Sequence, residues 1–329
     1  MFICFLDASK AFDRVRHFKL FQILTERKVP VYLIRLLAFW YSNQDMCVKW
    51  NHSRSNYFSV TNGVRQGSLL SPALFNVYLD KISQRLNTVN SGCCQANHII
   101  NHLIFADDMC LFAPSAKGLQ RLLYECQEEA SFLEILYNTK KTVCMCIQPK
   151  DWKLVILPKL YLYDKPLIFV DSYKYLGAYI NNSLKDDIDI QRQIRSLYAR
   201  ANILARKFSN CSREVKINLF KAYCCNTYCS QLWSCAKVHT LSKLKVAYNN
   251  AFRIVFGFPK RYSASKMFVD NGVLSYGEFL RKEVHSFWKR LLNSENVIVK
   301  NSVNSMFGSM VLYTYKRWVE IVYKEFNPG

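Results

Sequence analysis

Acidic residues are scarce in this chain. Against 45 Lys and Arg stand only 24 Asp and Glu, a formal charge of +21 over 329 residues. That deficit excludes a charge-balanced surface and implies a strong positive field, for which a polyanion is the natural partner. The deficit is also uneven: residues 1–150 hold 17 basic and 11 acidic side chains, and residues 151–329 hold 28 and 13. The later half is therefore expected to grip phosphates harder, and to release them as salt rises.

Long apolar runs are missing as well. No stretch approaches the roughly 20 apolar residues that a membrane span needs, so no membrane partner is expected. A secretory signal is absent: Met1 to Leu6 is apolar but lacks a basic lead-in and meets Asp7 at once. The 13 cysteines, mostly inside apolar runs, then read as reduced core residues in an intracellular compartment, nucleus or cytoplasm. A strong metal motif is lacking too. Cys225, Cys229, Cys235 and His239 come nearest, but they alternate with Tyr223, Tyr228, Leu232 and Trp233 at helical spacing, so core packing outweighs a zinc site.

What is present is half apolar residues and about one aromatic in seven, enough for two or three domains. Phe2 to Leu6 reads as a strand buried on both faces that delivers Asp7 at its end. Phe18, Phe21 and Leu24, then Leu33, Leu36, Leu37 and Trp40, recur at helical intervals on either side of Pro30. A hairpin-like region spans Met46 to Val60. Ser71-Pro72 opens a helix with a capping hydroxyl and a first-turn proline, its buried stripe running from Leu74 to Leu86. Leu103 to Ala106 and Met109 to Ala113 flank Asp107-Asp108, which predicts a two-residue hairpin with carboxylates at its tip. A helix from Leu119 ending near Asn138 and a strand from Thr142 to Ile147 complete a ferredoxin-like plan. In that plan helices cover one face of an antiparallel sheet and the other is open for a ligand.

After Pro149 the pattern becomes a hairpin, Leu160 to Tyr163 and Leu167 to Val170, turning at Asp164-Lys165. A long helix with the stripe Ile190, Ile194, Leu197, Ala201, Leu204 and Phe208 follows. Beyond Ser212 the sequence is helical and aromatic, with no repeat or low-complexity linker. The expected class is α+β, with boundaries at 1–150, 151–211 and 212–329.

Three acids, Asp7, Asp107 and Asp108, end or join apolar strands. Carboxylates held close raise one another's pKa unless a cation neutralises them, so a divalent-metal site is one reading. Paired Asp that merely tolerates a tight turn is the other.

The wording around these acids decides between them. Phe5-Leu-Asp-Ala-Ser-Lys-Ala-Phe-Asp13, Asn62-Gly-Val-Arg-Gln-Gly-Ser-Leu-Leu-Ser-Pro-Ala-Leu-Phe75 and Phe105-Ala-Asp-Asp108 resemble, in order and spacing, the first three catalytic motifs of reverse transcriptases. Asn138-Thr-Lys-Lys-Thr142 resembles the fourth, and Tyr175-Leu-Gly177 the primer grip. The likeness is strongest to non-LTR retrotransposons and continues past residue 260.

The resemblance implies a palm over 1–150, a primer-grip hairpin and thumb over 151–211, and a helical extension over 212–329. It implies RNA-directed DNA synthesis with an RNA template, a DNA primer, deoxynucleoside triphosphates and two Mg²⁺, with Mn²⁺ as a substitute. Asp7 and Asp107 would be the principal metal ligands, Asp108 a weaker one, and the Ala8 carbonyl would complete the nucleotide-side ion. Phe12 would exclude a ribose 2′-hydroxyl. Gln66 and Gly67 would lie against template and nucleotide, with Arg65 near phosphate. Lys141, with Lys140 as the neighbouring alternative, would protonate pyrophosphate, and Tyr175, Leu176 and Gly177 would position the primer end. Asp13 and His17 read as structural.

Members of the family carry a fingers region ahead of the first motif, whereas six residues precede Asp7 here. The chain thus reads as an amino-terminally truncated copy, expected to polymerise poorly by itself. A nucleic-acid-binding remnant without catalysis is the alternative, and a maturase would need a splicing domain that is not recognisable.

Overall fold

The apolar run Phe2 to Leu6 becomes the central strand of a five-stranded sheet, β1 (Phe2–Asp7). It belongs to a computed structural model that describes residues 1–95, 98–148, 156–233 and 236–304 and divides into two units, Met1–Asp171 and Ser172–Gly329. In the first unit two helices follow, α1 (His17–Glu26) and α2 (Val31–Ser42), separated at Pro30. Four two-residue strands, β2 (Asp45–Met46), β3 (Lys49–Trp50), β4 (Ser53–Arg54) and β5 (Phe58–Ser59), make a nested ribbon in which β2 pairs β5 and β3 pairs β4. Helix α3 (Ser71–Asn87) then leads through the hairpin β6 (Cys93–Gln95) and β7 (His98–Ile100) to β8 (His102–Phe105) and β9 (Asp108–Ala113). Helix α4 (Ala116–Phe132), β10 (Val143–Cys146), β11 (Tyr161–Leu162), β12 (Lys165–Pro166) and β13 (Ile168–Phe169) complete the unit.

The sheet order is β13-β10-β1-β9-β8. Its last four strands are mutually antiparallel in the ferredoxin-like arrangement, and β13 adds a fifth strand parallel to β10. Period-two alternation divides β1 between two faces. Phe2, Cys4 and Leu6 join the core made with Leu74, Phe75, Tyr78 and Ile82 of α3 and Leu119, Leu122 and Leu123 of α4. Ile3, Phe5 and Asp7 take the opposite face. That face is not open along its length, since Ile3, Phe5, Cys110 and Met145 are buried. It reaches solvent at the strand ends where the aspartates stand.

Four local details depart from the sequence reading. Helix α3 has Leu70 as its N-cap, so Ser71 is already helical and its buried hydroxyl caps nothing. Helix α4 stops at Phe132, six residues before Asn138. Glu134 adopts the left-handed conformation (φ 58°), and the Ile135 and Glu134 amides donate to the Ala130 and Ser131 carbonyls, closing the helix as a Schellman motif without glycine. The two turns each fall one residue early. Ala106 and Asp107 form the loop between β8 and β9, with Ala106 left-handed (φ 53°), and Asp108 is the first residue of β9. Tyr163 and Asp164 (φ 49° and 57°) join β11 to β12.

The second unit opens with a hairpin, β14 (Ser172–Tyr175) and β15 (Ala178–Asn181), and continues with α5 (Asp187–Lys207), α6 (Arg213–Tyr223), α7 (Val238–Phe256), α8 (Ala264–Val269), α9 (Tyr276–Leu292) and α10 (Val297–Asn304). Ile190, Leu197, Ala201 and Leu204 of α5 form the expected stripe. They join an aromatic core in which Phe220 lies 4.9 Å from Phe252 and 5.5 Å from Tyr248, ring centre to ring centre. Such edge-on pairs add about 0.5–1.5 kcal/mol each beyond area burial. Among the described residues every cysteine is free, and no helix is long and apolar enough to cross a membrane.

Candidate catalytic site

Strand β1 ends opposite the start of β9, with Asp7 paired to Asp108. The Asp7 amide donates to Thr142 Oγ1 (3.3 Å) and its carbonyl accepts from the Asn138 amide (2.8 Å). Both backbone groups of Asp7 thus point away from β9, which makes Asp7 and Asp108 a non-hydrogen-bonded pair, the narrow kind with Cα atoms about 4.5 Å apart. Paired residues share a face, so both carboxylates rise on the side opposite the helices. Asp107 stands beside them on the turn, exposed.

Like charge so gathered has an electrostatic cost. Partial burial pushes the Asp108 carboxyl above its ordinary value, and the negative charges of Asp107 and Asp7 push it further. The Lys141 ammonium offers some relief, 3.8 Å from Asp7 Oδ2. With the lysine 69% and the aspartate 33% exposed, that pair contributes little stability. Lys140 has its amide on the Asn138 side-chain oxygen (3.0 Å), while its ammonium makes no ion pair among the described residues.

The turn that supplies Lys141 was legible as a motif, but the roles of Asn138 and Thr142 were not. Asn138 accepts from the Lys141 and Thr142 amides through its carbonyl, and with Thr142 it clamps the Asp7 peptide from one side. Ala8 sits opposite Tyr137 in an isolated bridge whose bonds are made by Asp7 and Ser9, leaving the Ala8 carbonyl without a partner among the described residues. Asparagine at a turn and threonine opening a strand were the available signals.

Beyond Ala8 the chain enters a 3-10 turn, Phe12–Arg14. Phe12 stacks on Phe75 of α3 with ring centres 4.3 Å apart and planes 16° from parallel, which fixes its ring. The loop after the ribbon is stitched to this turn: the Gly63 amide donates to the Val15 carbonyl (2.8 Å) and the Val64 amide to the Phe12 carbonyl (2.9 Å). Gly63 is required there. Its φ is +90°, and a Cβ would lie 3.0 Å from Asp13 Cα and 3.1 Å from the Phe12 carbonyl oxygen. His17 Nε2 contacts the Gly63 carbonyl at 2.8 Å and its ring lies 4.6 Å from Tyr41, a packing role. Asp13 accepts from Gln66 Nε2 at 3.5 Å. Arg65, Gln66 and Gly67 are exposed, and Gly67 (φ +84°) has open space where a side chain would be.

Tyr175, Leu176 and Gly177 lie in the second unit, at the tip of the β14–β15 hairpin. Leu176 and Gly177 are both left-handed (φ 46° and 84°), and Tyr228 donates to the Leu176 carbonyl (2.9 Å) while its ring would touch a Gly177 Cβ at 3.0 Å. Cys225 faces the Tyr248 hydroxyl (3.1 Å) and His239 is exposed, while Cys235 lies outside the described residues. Among the described residues no group of three or more His, Cys, Asp or Glu is drawn together tightly enough to hold a metal ion.

Known proteins resemble this chain over the same region. The Pol polyprotein from the type-1 retrotransposable element R2 of Nasonia vitripennis is 30% identical over 189 residues, which is 55% of this chain and 18% of that protein. The probable RNA-directed DNA polymerase from transposon X-element of Drosophila melanogaster is 26% identical over 77% of this chain and 28% of its own length. The RNA-directed DNA polymerase from mobile element jockey of Drosophila funebris is 24% identical over 90% and 33%. The chain therefore spans a third or less of the curated relatives it matches. The solved structure of apo telomerase from Candida tropicalis aligns with a TM-score of 0.45 at 12% identity, covering 91% of this chain and 52% of that one, a likeness too loose to bear on the site. Residues 1–180 match the family model described as reverse transcriptase (RNA-dependent DNA polymerase). Because that match takes in more than half of the chain, including the whole unit in which the three aspartates gather, the protein belongs to the reverse transcriptase family.

Proposed function

We propose that the chain carries RNA-directed DNA polymerase activity of the non-LTR retrotransposon kind, extending a primer 3′-hydroxyl along an RNA template. The observation that carries this reading is the narrow pairing of Asp7 with Asp108 beside Asp107, on solvent-reaching strand ends of the helix-free face. The fit to divalent cations is one of charge and placement. Three neighbouring carboxylates, one with its pKa raised by the other two as well as by burial, form a local negative excess that a hard cation with oxygen ligands neutralises. Asp7 and Asp107 are the principal ligands in this reading, Asp108 a weaker one, and the Ala8 carbonyl, without a partner among the described residues, completes the set for two Mg²⁺, or Mn²⁺. Bound there, such ions supply a lowered pKa for the primer hydroxyl and neutralisation of the departing pyrophosphate.

The chain's own residues do the rest. Lys141 holds a proton within reach of the carboxylate cluster and delivers it to pyrophosphate. Phe12, pinned by Phe75, occupies the volume a ribose 2′-hydroxyl would need. Gln66 and Gly67 contact template and deoxynucleoside triphosphate, Arg65 meets phosphate, and the Tyr175-Leu176-Gly177 tip seats the DNA primer. A palm over 1–150, a primer-grip hairpin and thumb over 151–211, and a helical extension over 212–329 belong to the same reading.

Primer extension on poly(rA) with oligo(dT) tests it. Extension should require Mg²⁺ or Mn²⁺ and fall by at least about a hundredfold in Asp107→Asn, since even groups that merely orient metal ligands are worth about 10–100-fold. Lys141→Ala should slow it and Lys140→Ala should not. A second reading, a nucleic-acid binder without catalysis, is favoured by the net charge of +21. It predicts no extension and no rise in melting temperature with Mg²⁺, whereas the enzyme should gain a rise that Asp7→Asn abolishes.

A further inference from the structure

The nested ribbon between α2 and the loop Arg65–Gly67 holds an unresolved electrostatic problem. Lys49 of β3 and Arg54 of β4 are directly paired across the ribbon. The Ser55 amide donates to the Val48 carbonyl (2.9 Å) one step along, so Lys49 and Arg54 form the narrow, non-hydrogen-bonded kind of pair, whose side chains stand closest on a shared face. Like charges in that arrangement are destabilising. Neither cation has an ion pair or a side-chain hydrogen bond among the described residues, and Asp45, at the ribbon's base, is engaged by the Ser59 hydroxyl (2.7 Å). Every residue from Val48 to Ser59 is exposed. The pair therefore faces solvent with its charge unmet by any anionic side chain among the described residues.

Two further features say what kind of anion fits. Trp50, which follows Lys49 and so lies on the ribbon's other face, is 77% exposed near its tip, and Tyr57 is 67% exposed, so a strand that wraps the ribbon edge would find aromatic surface for its unstacked bases. The ribbon is also joined rigidly to the loop assigned to the template: the Val60 amide donates to the Gln44 carbonyl, and within four residues Gly63 and Val64 are bonded to the turn carrying Phe12. We propose that the Lys49–Arg54 pair grips the phosphate backbone of single-stranded RNA template as it approaches Arg65–Gly67, with Trp50 offering a stacking surface on the ribbon's other face. The identity of the strand rests on the polymerase reading above; the grip on single-stranded nucleic acid does not.

Fluorescence anisotropy on the full chain separates the two. The probes are a single-stranded RNA, a blunt RNA–DNA duplex, and the same duplex with a 5′ RNA overhang. The double variant Lys49→Glu/Arg54→Glu should weaken binding of single-stranded RNA and of the overhang duplex by about tenfold or more. It should lower the salt slope for single-stranded RNA by about 1.4, the value for two phosphates on a single strand, while the blunt duplex binds as before. Its melting temperature should stay near that of wild type, because one like-charge pair replaces another, whereas Lys49→Gln/Arg54→Gln, which removes the repulsion, should melt no lower than wild type. Lys49→Gln/Arg54→Gln should show the same selectivity with a smaller loss. Unchanged affinity for the overhang duplex, or an equal loss for blunt and overhang duplexes, overturns the proposal. Failure of primer extension by the wild-type chain would count against the polymerase reading alone, since the binding contrast needs no catalysis.

Discussion

At the scale of single residues, the chemistry depends on side chains whose freedom the fold has removed. Phe12 has its ring held by the Phe75 stack, and Phe75 is fully buried in α3. The gate role proposed for Phe12 needs a ring that cannot swing aside, and this contact supplies that rigidity. Replacing Phe12 by Val should admit ribonucleotides, lowering the preference for deoxynucleotides by on the order of tenfold to a hundredfold in kcat/KM ratio. The cost in stability should be small, about 0.5–1.5 kcal/mol for the lost aromatic pair plus part of its buried area. Competition between dGTP and GTP on a poly(rC) template measures it; an unchanged ratio would show that another group does the excluding. Phe12 was identifiable from its motif, but the partner that fixes it lies 63 positions away and becomes visible only once α3 packs on the sheet.

At the scale of elements, periodicity carried most of the fold and backbone exceptions carried the rest. The alternation in β1 and β9 and the stripes of α3, α4 and α5 are properties of every second or every third-to-fourth residue, so they survive in the sequence. The places where each element stops do not. Helix α4 closes on a left-handed Glu134, and the carboxylate hairpin turns on a left-handed Ala106, conformations usually left to glycine or asparagine. The slip of one residue at that hairpin matters, because it makes Asp108 a paired strand residue facing Asp7 and leaves Asp107 on the turn. Similarly, the exposed stripe of α2, with Leu36 61% and Phe39 69% exposed, shows that helical spacing of apolar residues does not by itself predict burial.

Gly63 is the element-scale position where a single methyl should do most damage. Its positive φ and the backbone atoms of Phe12 and Asp13 leave no room, so Gly63→Ala should destabilise by at least about 1–2 kcal/mol. It should also push the Phe12 turn away from the loop proposed to meet the nucleotide. Urea denaturation should show the lower midpoint, and KM for the nucleotide should rise more than kcat falls. A variant as stable as wild type would mean that the two segments part easily and that the stitching described above is weak.

At the scale of the whole molecule, charge is distributed between the two units. Residues 172–329 hold 25 Lys and Arg against 10 Asp and Glu, while residues 1–171 hold 20 against 14. The unit with the aspartates is thus the less positive one, which suits the proposed metal site, and the other would supply most of the attraction for phosphates. Affinity for a primer–template duplex should fall by about 10³-fold between 50 and 200 mM salt if six or so phosphates are contacted. A shallow slope would leave the positive excess without a nucleic-acid explanation.

The short turn from Asn138 to Thr142 has a consequence for how the reaction centre tolerates movement. Because it holds both backbone groups of Asp7 while presenting Lys141, the base of the proposed metal site and the proposed proton donor travel as one piece. Their spacing acts as a ruler built into the scaffold, so in the proposed reaction nucleotide entry and product departure would shift surrounding segments without resetting it.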